Sequence, residues 1–281
     1  VNNKTLALYG LKWNPFAQNV PTEALHVTPR LESFCWRVQQ LASEGGFALV
    51  SGVPGCGKSA ALRILSASLA TQRDVSVGII SRPQASIADF YREMGELFGV
   101  ELRPHNRYSG AKTLRQRWLA HIQSTLCRPV LVVDEAQEML SSVLAELRLL
   151  ASAELDSHIL LTTVLAGDAR LVERLRADEF LPLASRIRVR LPIERATPQE
   201  LQTCLRHALI QAGAPTLMTP EVIATICDHA QGNLRALMIM AGELLETAAQ
   251  REARQIDENL FFEICKGTPA NDTKAVIRRR R

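Results

Sequence analysis

The chain has 281 residues, 47% of them apolar and 22% charged, with 33 Lys and Arg against 29 Asp and Glu. That composition supports a sizeable core and excludes global disorder. The formal charge of +4 comes from residues 268–281, where Lys274 and Arg278, Arg279, Arg280 and Arg281 meet a single acid, Asp272. The rest of the chain is neutral, so a basic surface on the folded body requires uneven placement of charge. The six cysteines form no C-x-x-C pair and no zinc-like cluster with histidine, which points to idle thiols in a reducing interior. No apolar run is long enough to span a bilayer, and no signal sequence opens the chain, so a cytoplasmic location is expected.

In chain order, residues 1–30 read as a polar, Pro-punctuated lead-in around LYGLKWNPF, followed by a helix over 31–44. FALVSG, 47–52, predicts a strand that runs into a Gly-rich turn. KSAALRILSASLA predicts a helix with Leu62, Leu65 and Leu69 on one face. A second strand is expected over 75–80, then helices over 86–98 and 111–126 joined by a basic loop. PVLVVDE, HILLTTVLAG and RIRVRLPI read as the third, fourth and fifth strands, with LSSVLAELRLLASAE and DARLVERLRA as helices between them. Short strands rich in Val, Ile and Leu, alternating with helices, predict a five-stranded parallel sheet sandwiched by helices. Beyond Pro192 only helices are expected, over 198–212, 220–230, 233–251 and 257–265. The domain reading is therefore a lead-in over 1–30, an α/β domain over 31–191, a helical domain over 192–267 and a basic tail over 268–281.

Gly52, Val53, Pro54, Gly55, Cys56, Gly57, Lys58 and Ser59 fit G-x-x-x-x-G-K-[ST] without departure, and Ala60 continues into the expected helix. Strand, glycine-rich turn and helix together form the context that this pattern needs to cradle a triphosphate. The glycines let successive N–H groups turn toward phosphate, and the helix start adds its positive end. Lys58 reaches the β- and γ-phosphates, and the Ser59 hydroxyl goes to Mg²⁺. VLVVDE places Asp134 and Glu135 at the carboxyl end of a buried strand, where ligands collect in an open α/β sheet. Asp134 is expected to hold Mg²⁺ and Glu135 to orient and deprotonate the attacking water. The expected ligands are ATP and Mg²⁺.

YGLKWNPF, VLVVDEAQEM, ELRLLASAELD, TTVLAGDARL, SRIRVRLPIERATPQEL and GNLRALMIMAGELL, in that order, resemble the ExeA/TniB group of AAA+ ATPases over roughly residues 8–265. Its relatives include the transposition regulators TniB, TnsC and MuB. The resemblance implies a P-loop AAA+ fold with a C-terminal helical lid, and a homo-oligomer, ring or filament, with ATP between subunits. It implies an ATP-dependent regulator of DNA transposition that assembles on duplex DNA, about six or seven subunits per turn, recruits or activates a transposase and uses hydrolysis for disassembly, with no membrane partner; a secretion-associated ATPase and a nucleotide-gated scaffold with little turnover are the alternatives. The secretion members of the group carry a membrane span and an extra domain, and the present sequence is expected to match the free-standing versions.

By the same resemblance, Trp13, Asn14, Pro15 and Phe16 pack near adenine. Arg186 is the arginine finger given to a neighbouring subunit, with Arg188 as runner-up, and Arg235 is the second sensor reaching the γ-phosphate. The group usually has a polar amide after the Gly that ends the fourth strand, and here Gly167 is followed by Asp168. Thr162 and Thr163 are the candidate substitutes for that first sensor, and turnover is expected to be slow or conditional.

The relatives contact the DNA backbone between the second and third strands. There the sequence holds Arg82, Arg103, His105, Arg107, Tyr108, Lys112, Thr113, Arg115 and Arg117, with no acid between Glu101 and Asp134. Binding through phosphates is therefore expected, independent of base sequence and sensitive to salt.

Overall fold

The computed structural model describes residues 3–81, 83–100, 107–153 and 158–267. In chain order its elements are α1 (Asn3–Tyr9), α2 (Pro29–Glu44), β1 (Gly46–Gly52), α3 (Lys58–Ala70), β2 (Val75–Ile80), α4 (Ile87–Phe98), α5 (Arg107–Thr125), β3 (Arg128–Val133), α6 (Ser141–Ala151), β4 (Ser152–Ala153) and β5 (His158–Ile159). There follow β6 (Thr162–Gly167), α7 (Ala169–Arg176), α8 (Leu181–Ala184), β7 (Ile187–Ile193), α9 (Pro198–Ala212), α10 (Pro220–His229), α11 (Leu234–Gln250) and α12 (Glu258–Gly267). They form two compact units: Val27–Arg195, and Val1–His26 together with Ala196–Arg281.

The first unit is built on a five-stranded parallel sheet of order β2-β3-β6-β1-β7. Side chains alternate across each strand, so one sequence feeds two cores. Phe47, Leu49, Leu131, Val133 and Leu165 join α4, α5 and α6 on one face. Ala48, Val50, Val130, Val132, Val164 and Ala166 join α2 and α3 on the other, where Leu62, Leu65 and Leu69 are buried as their spacing predicts. Every residue of β6 is buried, whereas β7 at the edge alternates buried and exposed positions.

HILLTTVLAG is not one strand. His158–Ile159 pair antiparallel with Ser152–Ala153, and the main-sheet strand starts at Thr162. Continuous apolar character cannot mark such a break, because Leu160 and Leu161 between the two pieces are as buried as strand residues.

The second unit is helical. Leu201, Leu205, Leu209, Ile226, Leu237, Leu244 and Leu245 form its core, and Leu11 and Phe16 of the lead-in belong to that core. The lead-in also contains a helix, α1, that its polar composition does not suggest. Helix α9 starts in a capping box between Thr197 and Glu200 and ends at Gly213, whose φ is 93°. Among the described residues no helix is long and apolar enough to cross a membrane.

Candidate functional site

Parallel pairing brings three carboxyl ends together. Ser51 lies beside Gly167, and Val133 lies beside Leu165, so β1, β6 and β3 finish at the same edge. The chain leaves β1 at Gly52, where an added Cβ would stand 2.4 Å from the Ile193 carbonyl oxygen and 2.6 Å from Cys56 Sγ. A side chain there would force the turn apart. Gly57 has φ 103° and caps the first turn of α3, a conformation that glycine adopts without a Cβ penalty. Cys56 is buried within the turn, and burial pushes its thiol up.

Lys58 is only 5% exposed. Its Nζ donates to the carbonyls of Gly52 at 3.0 Å and Val53 at 3.3 Å, and no carboxylate pairs with it among the described residues. A buried ammonium that no carboxylate contacts directly is costly, even with the charge of Asp168 acting on it from beyond ion-pair distance, and the N-terminus of a 13-residue helix lies beside it. Both features fit an anion.

The adjacent Ser59 hydroxyl donates to Asp134 Oδ2 at 2.9 Å, across 75 residues of sequence. Asp134 Oδ1 accepts the N–H of Glu135 at 2.9 Å. Hydroxyl and carboxylate in contact form a hard oxygen donor set that fits Mg²⁺. Glu135 has φ 50° and ψ 40°, the left-handed region, which is uncommon for a residue with a Cβ and turns its side chain off the strand direction. Its carboxylate accepts a hydrogen bond from Gln137 Nε2.

Asp168 caps α7, accepting the N–H of Arg170 at 2.9 Å, and its carboxylate pairs with the Arg170 guanidinium at 2.9 Å. Burial works against its charge, but the Arg170 hydrogen bonds overcome it and hold the carboxyl below its ordinary range. The cap accounts for an acid at this position without a phosphate contact. Asp168→Ala is therefore expected to cost about 0.5–2 kcal/mol of stability by denaturant melts near neutral pH. A carboxyl with a lowered folded-state pKa stabilises above its unfolded-state range, so this difference should shrink as pH falls through the acid range.

Thr162 and Thr163 are excluded as first-sensor substitutes. They open β6 beside Gly46 and Phe47, five residues from Gly167, or about 16 Å at strand rise, at the opposite end of the sheet. Thr162 donates instead to the Leu41 carbonyl, and both side chains are buried. In a parallel sheet the first residues of every strand lie away from the loop edge, so the strand order alone argues against them.

Arg186 sits in the turn between α8 and β7, half-buried, its N–H bonded to the Leu183 carbonyl. Arg188 is exposed on β7 and pairs with Glu44 at 2.7 Å. In the helical unit, Arg235 is exposed on the first turn of α11. Phe16 is a core residue there, and Asn14 turns the lead-in by accepting the Phe16 N–H at 3.0 Å.

Of the basic residues between β2 and β3, Arg82, Arg103 and His105 lie outside the described residues, as do the side chains of Arg107 and Tyr108. Arg115 is half-buried and donates to the carbonyls of Leu149 and, within 3.5 Å, Leu150, near the C-terminus of α6. A guanidinium satisfies orphan carbonyls there and complements the helix dipole. Thr113 donates back to Ser109 within α5 at 2.8 Å. Lys112 and Arg117 are exposed.

The fold is similar to that of Cdc6p from Pyrobaculum aerophilum, with a TM-score of 0.69 at 15% identity over 86% of this chain and 67% of that one. The fold is that of the AAA+ P-loop NTPases. The AAA+ fold recurs in the ORC1 protein of Aeropyrum pernix, solved in complex with DNA, at a TM-score of 0.66, 16% identity, and 95% and 70% coverage. It recurs in the Thermotoga maritima RuvB Holliday junction branch migration motor at 0.58, 15% identity, and 90% and 73% coverage. Residues 40–175 match the family model of an AAA domain, a span that contains the phosphate loop, Asp134 and Glu135. Among curated proteins, General secretion pathway protein A of Aeromonas hydrophila is 29% identical over 253 residues, covering 88% of this chain. The chain spans 45% of that relative's length.

The residue of this candidate site that sequence reasoning missed is Gln137. It is 8% exposed and touches both Glu135 and the backbone after β6. The only signal was its place two residues after Glu135.

Proposed function

We propose that the protein is an ATP-hydrolysing AAA+ switch. The observation that carries this reading is the meeting of Ser59 and Asp134 beside a buried Lys58 whose ammonium contacts backbone carbonyls and, among the described residues, forms no ion pair. Lys58 and the N-terminus of α3 hold the phosphates, while Ser59 and Asp134 hold Mg²⁺, which when bound neutralises charge on the triphosphate. Glu135 orients the water and takes its proton. Arg186 from a neighbouring subunit completes the catalytic set.

We further propose that the switch assembles as a homo-oligomer on duplex DNA and regulates transposition by recruiting or activating a transposase. Support comes from the acid-free stretch between Glu101 and Asp134 and from the exposure of Lys112 and Arg117. Arg115, bound to α6, is a structural residue in this reading. Charge reversal at Lys112 and Arg117 together is expected to weaken DNA binding at every sequence and to flatten the plot of log affinity against log salt by roughly one per lost contact. An unchanged slope would move the DNA surface elsewhere.

A second reading is favoured by the Aeromonas relative, whose name places it in a secretion pathway. In that reading the ATPase energises assembly of an envelope complex and ignores DNA. ATP turnover measured with and without duplex DNA separates the two: stimulation supports the DNA regulator, while turnover indifferent to DNA supports the secretion role.

A further inference from the structure

Gln137 lies just beyond the Glu135 turn, nine-tenths buried, with both ends of its amide engaged. Oε1 accepts the N–H of Asp168 at 3.3 Å. A backbone N–H only donates, so this contact fixes which end of the amide is oxygen and leaves the NH₂ facing the Glu135 carboxylate, to which it donates. The position is tight: a Cβ on Gly167 would stand 2.6 Å from Oε1, so glycine at the tip of β6 is what admits the amide. The Arg174 guanidinium holds the main chain at and just after this residue, donating to the carbonyls of Gln137 at 2.7 Å and Met139 at 2.9 Å. An amide therefore does reach the tip of β6, but from the segment after β3 and not from position 168.

We propose that Gln137 is a positioning residue for Glu135, its amide steering the carboxylate from which the attacking water is directed and tying that carboxylate to the tip of β6. This inference rests on the reading of Glu135 as the water-activating group. A charge-assisted hydrogen bond from a buried, doubly anchored donor restricts the carboxylate to one rotamer, and misplacement of a catalytic base lowers the rate without weakening nucleotide binding.

The test uses the full chain with ATP and Mg²⁺, measuring ATP affinity by titration and hydrolysis in single turnover. Gln137→Leu and Gln137→Glu are each expected to slow hydrolysis about ten- to a hundredfold while ATP affinity stays within about threefold. In a Glu135→Gln background, Gln137→Leu should change the residual rate by less than about twofold, because the group it positions is already gone. Undiminished hydrolysis in both single variants overturns the proposal. So do fully multiplicative losses in the double variant, or ATP affinity lost in step with the rate, since either marks a general structural role. Should the leucine variant fail to fold, Gln137→Glu, of the same length and polar at its end, decides by the same rate, affinity and double-variant comparisons. Failure of the unsubstituted chain to bind ATP overturns the underlying reading instead, and is seen before any variant is made.

Discussion

Lys58→Ala is expected to reduce ATP affinity a hundredfold or more while leaving the fold intact, and to abolish ATP-dependent assembly on DNA with it. Removing an ammonium from a charge-assisted contact with phosphate costs about 1.5–3 kcal/mol per hydrogen bond, and Lys58 would make more than one. The same substitution removes a buried cation whose two acceptors, the Gly52 and Val53 carbonyls, lie on a partly exposed turn that water can reach once the side chain is gone. Stability should therefore change by no more than about 1 kcal/mol. Titration with ATP and a thermal melt on the same sample check both halves. Normal ATP affinity would remove the phosphate loop from the proposed function, and a collapse in stability would make Lys58 a structural residue.

Glu135→Gln is expected to have the opposite signature. ATP affinity persists, single-turnover hydrolysis falls about a hundred- to ten-thousandfold, and the ATP-bound assembly accumulates. The substitution keeps the length of the side chain and an oxygen that can accept from Gln137 Nε2, so the left-handed turn at this position retains its anchor. Asp134, whose Oδ1 accepts the backbone N–H of residue 135, keeps its contact with Ser59. Unchanged turnover would exclude Glu135 as the water-activating group and leave the site as a binding module.

Both effects were legible before any coordinate, because each depends on contiguous residues. A glycine-rich turn between a buried strand and a helix specifies its own local conformation, and two acids ending a Val-rich run specify a strand tip. Short strands rich in Val, Ile and Leu likewise predicted a sheet covered on both faces, and β1 does feed two cores. Legibility ended where side chains choose partners from distant sequence. Arg115 reads as one more cation in a basic stretch, yet the last turn of α6 claims it. Thr162 and Thr163 read as polar residues near a functional Gly, yet strand direction puts them at the far edge of the sheet.

The sequence by itself determined the parallel sheet, the phosphate loop, and the identity of Lys58, Ser59, Asp134 and Glu135 as the residues to watch, since periodicity and local turn chemistry are properties of neighbours in the chain. Only the tertiary structure decided that Ser59 touches Asp134 and that Gln137 stands between Glu135 and the end of β6. Those contacts follow from the strand order β2-β3-β6-β1-β7, which inserts β6 between the two strands that carry the motifs. Hydrophobic patterning specifies that a strand is buried on both faces but not which strands flank it, and partner choice at the strand tips is set by the flanks.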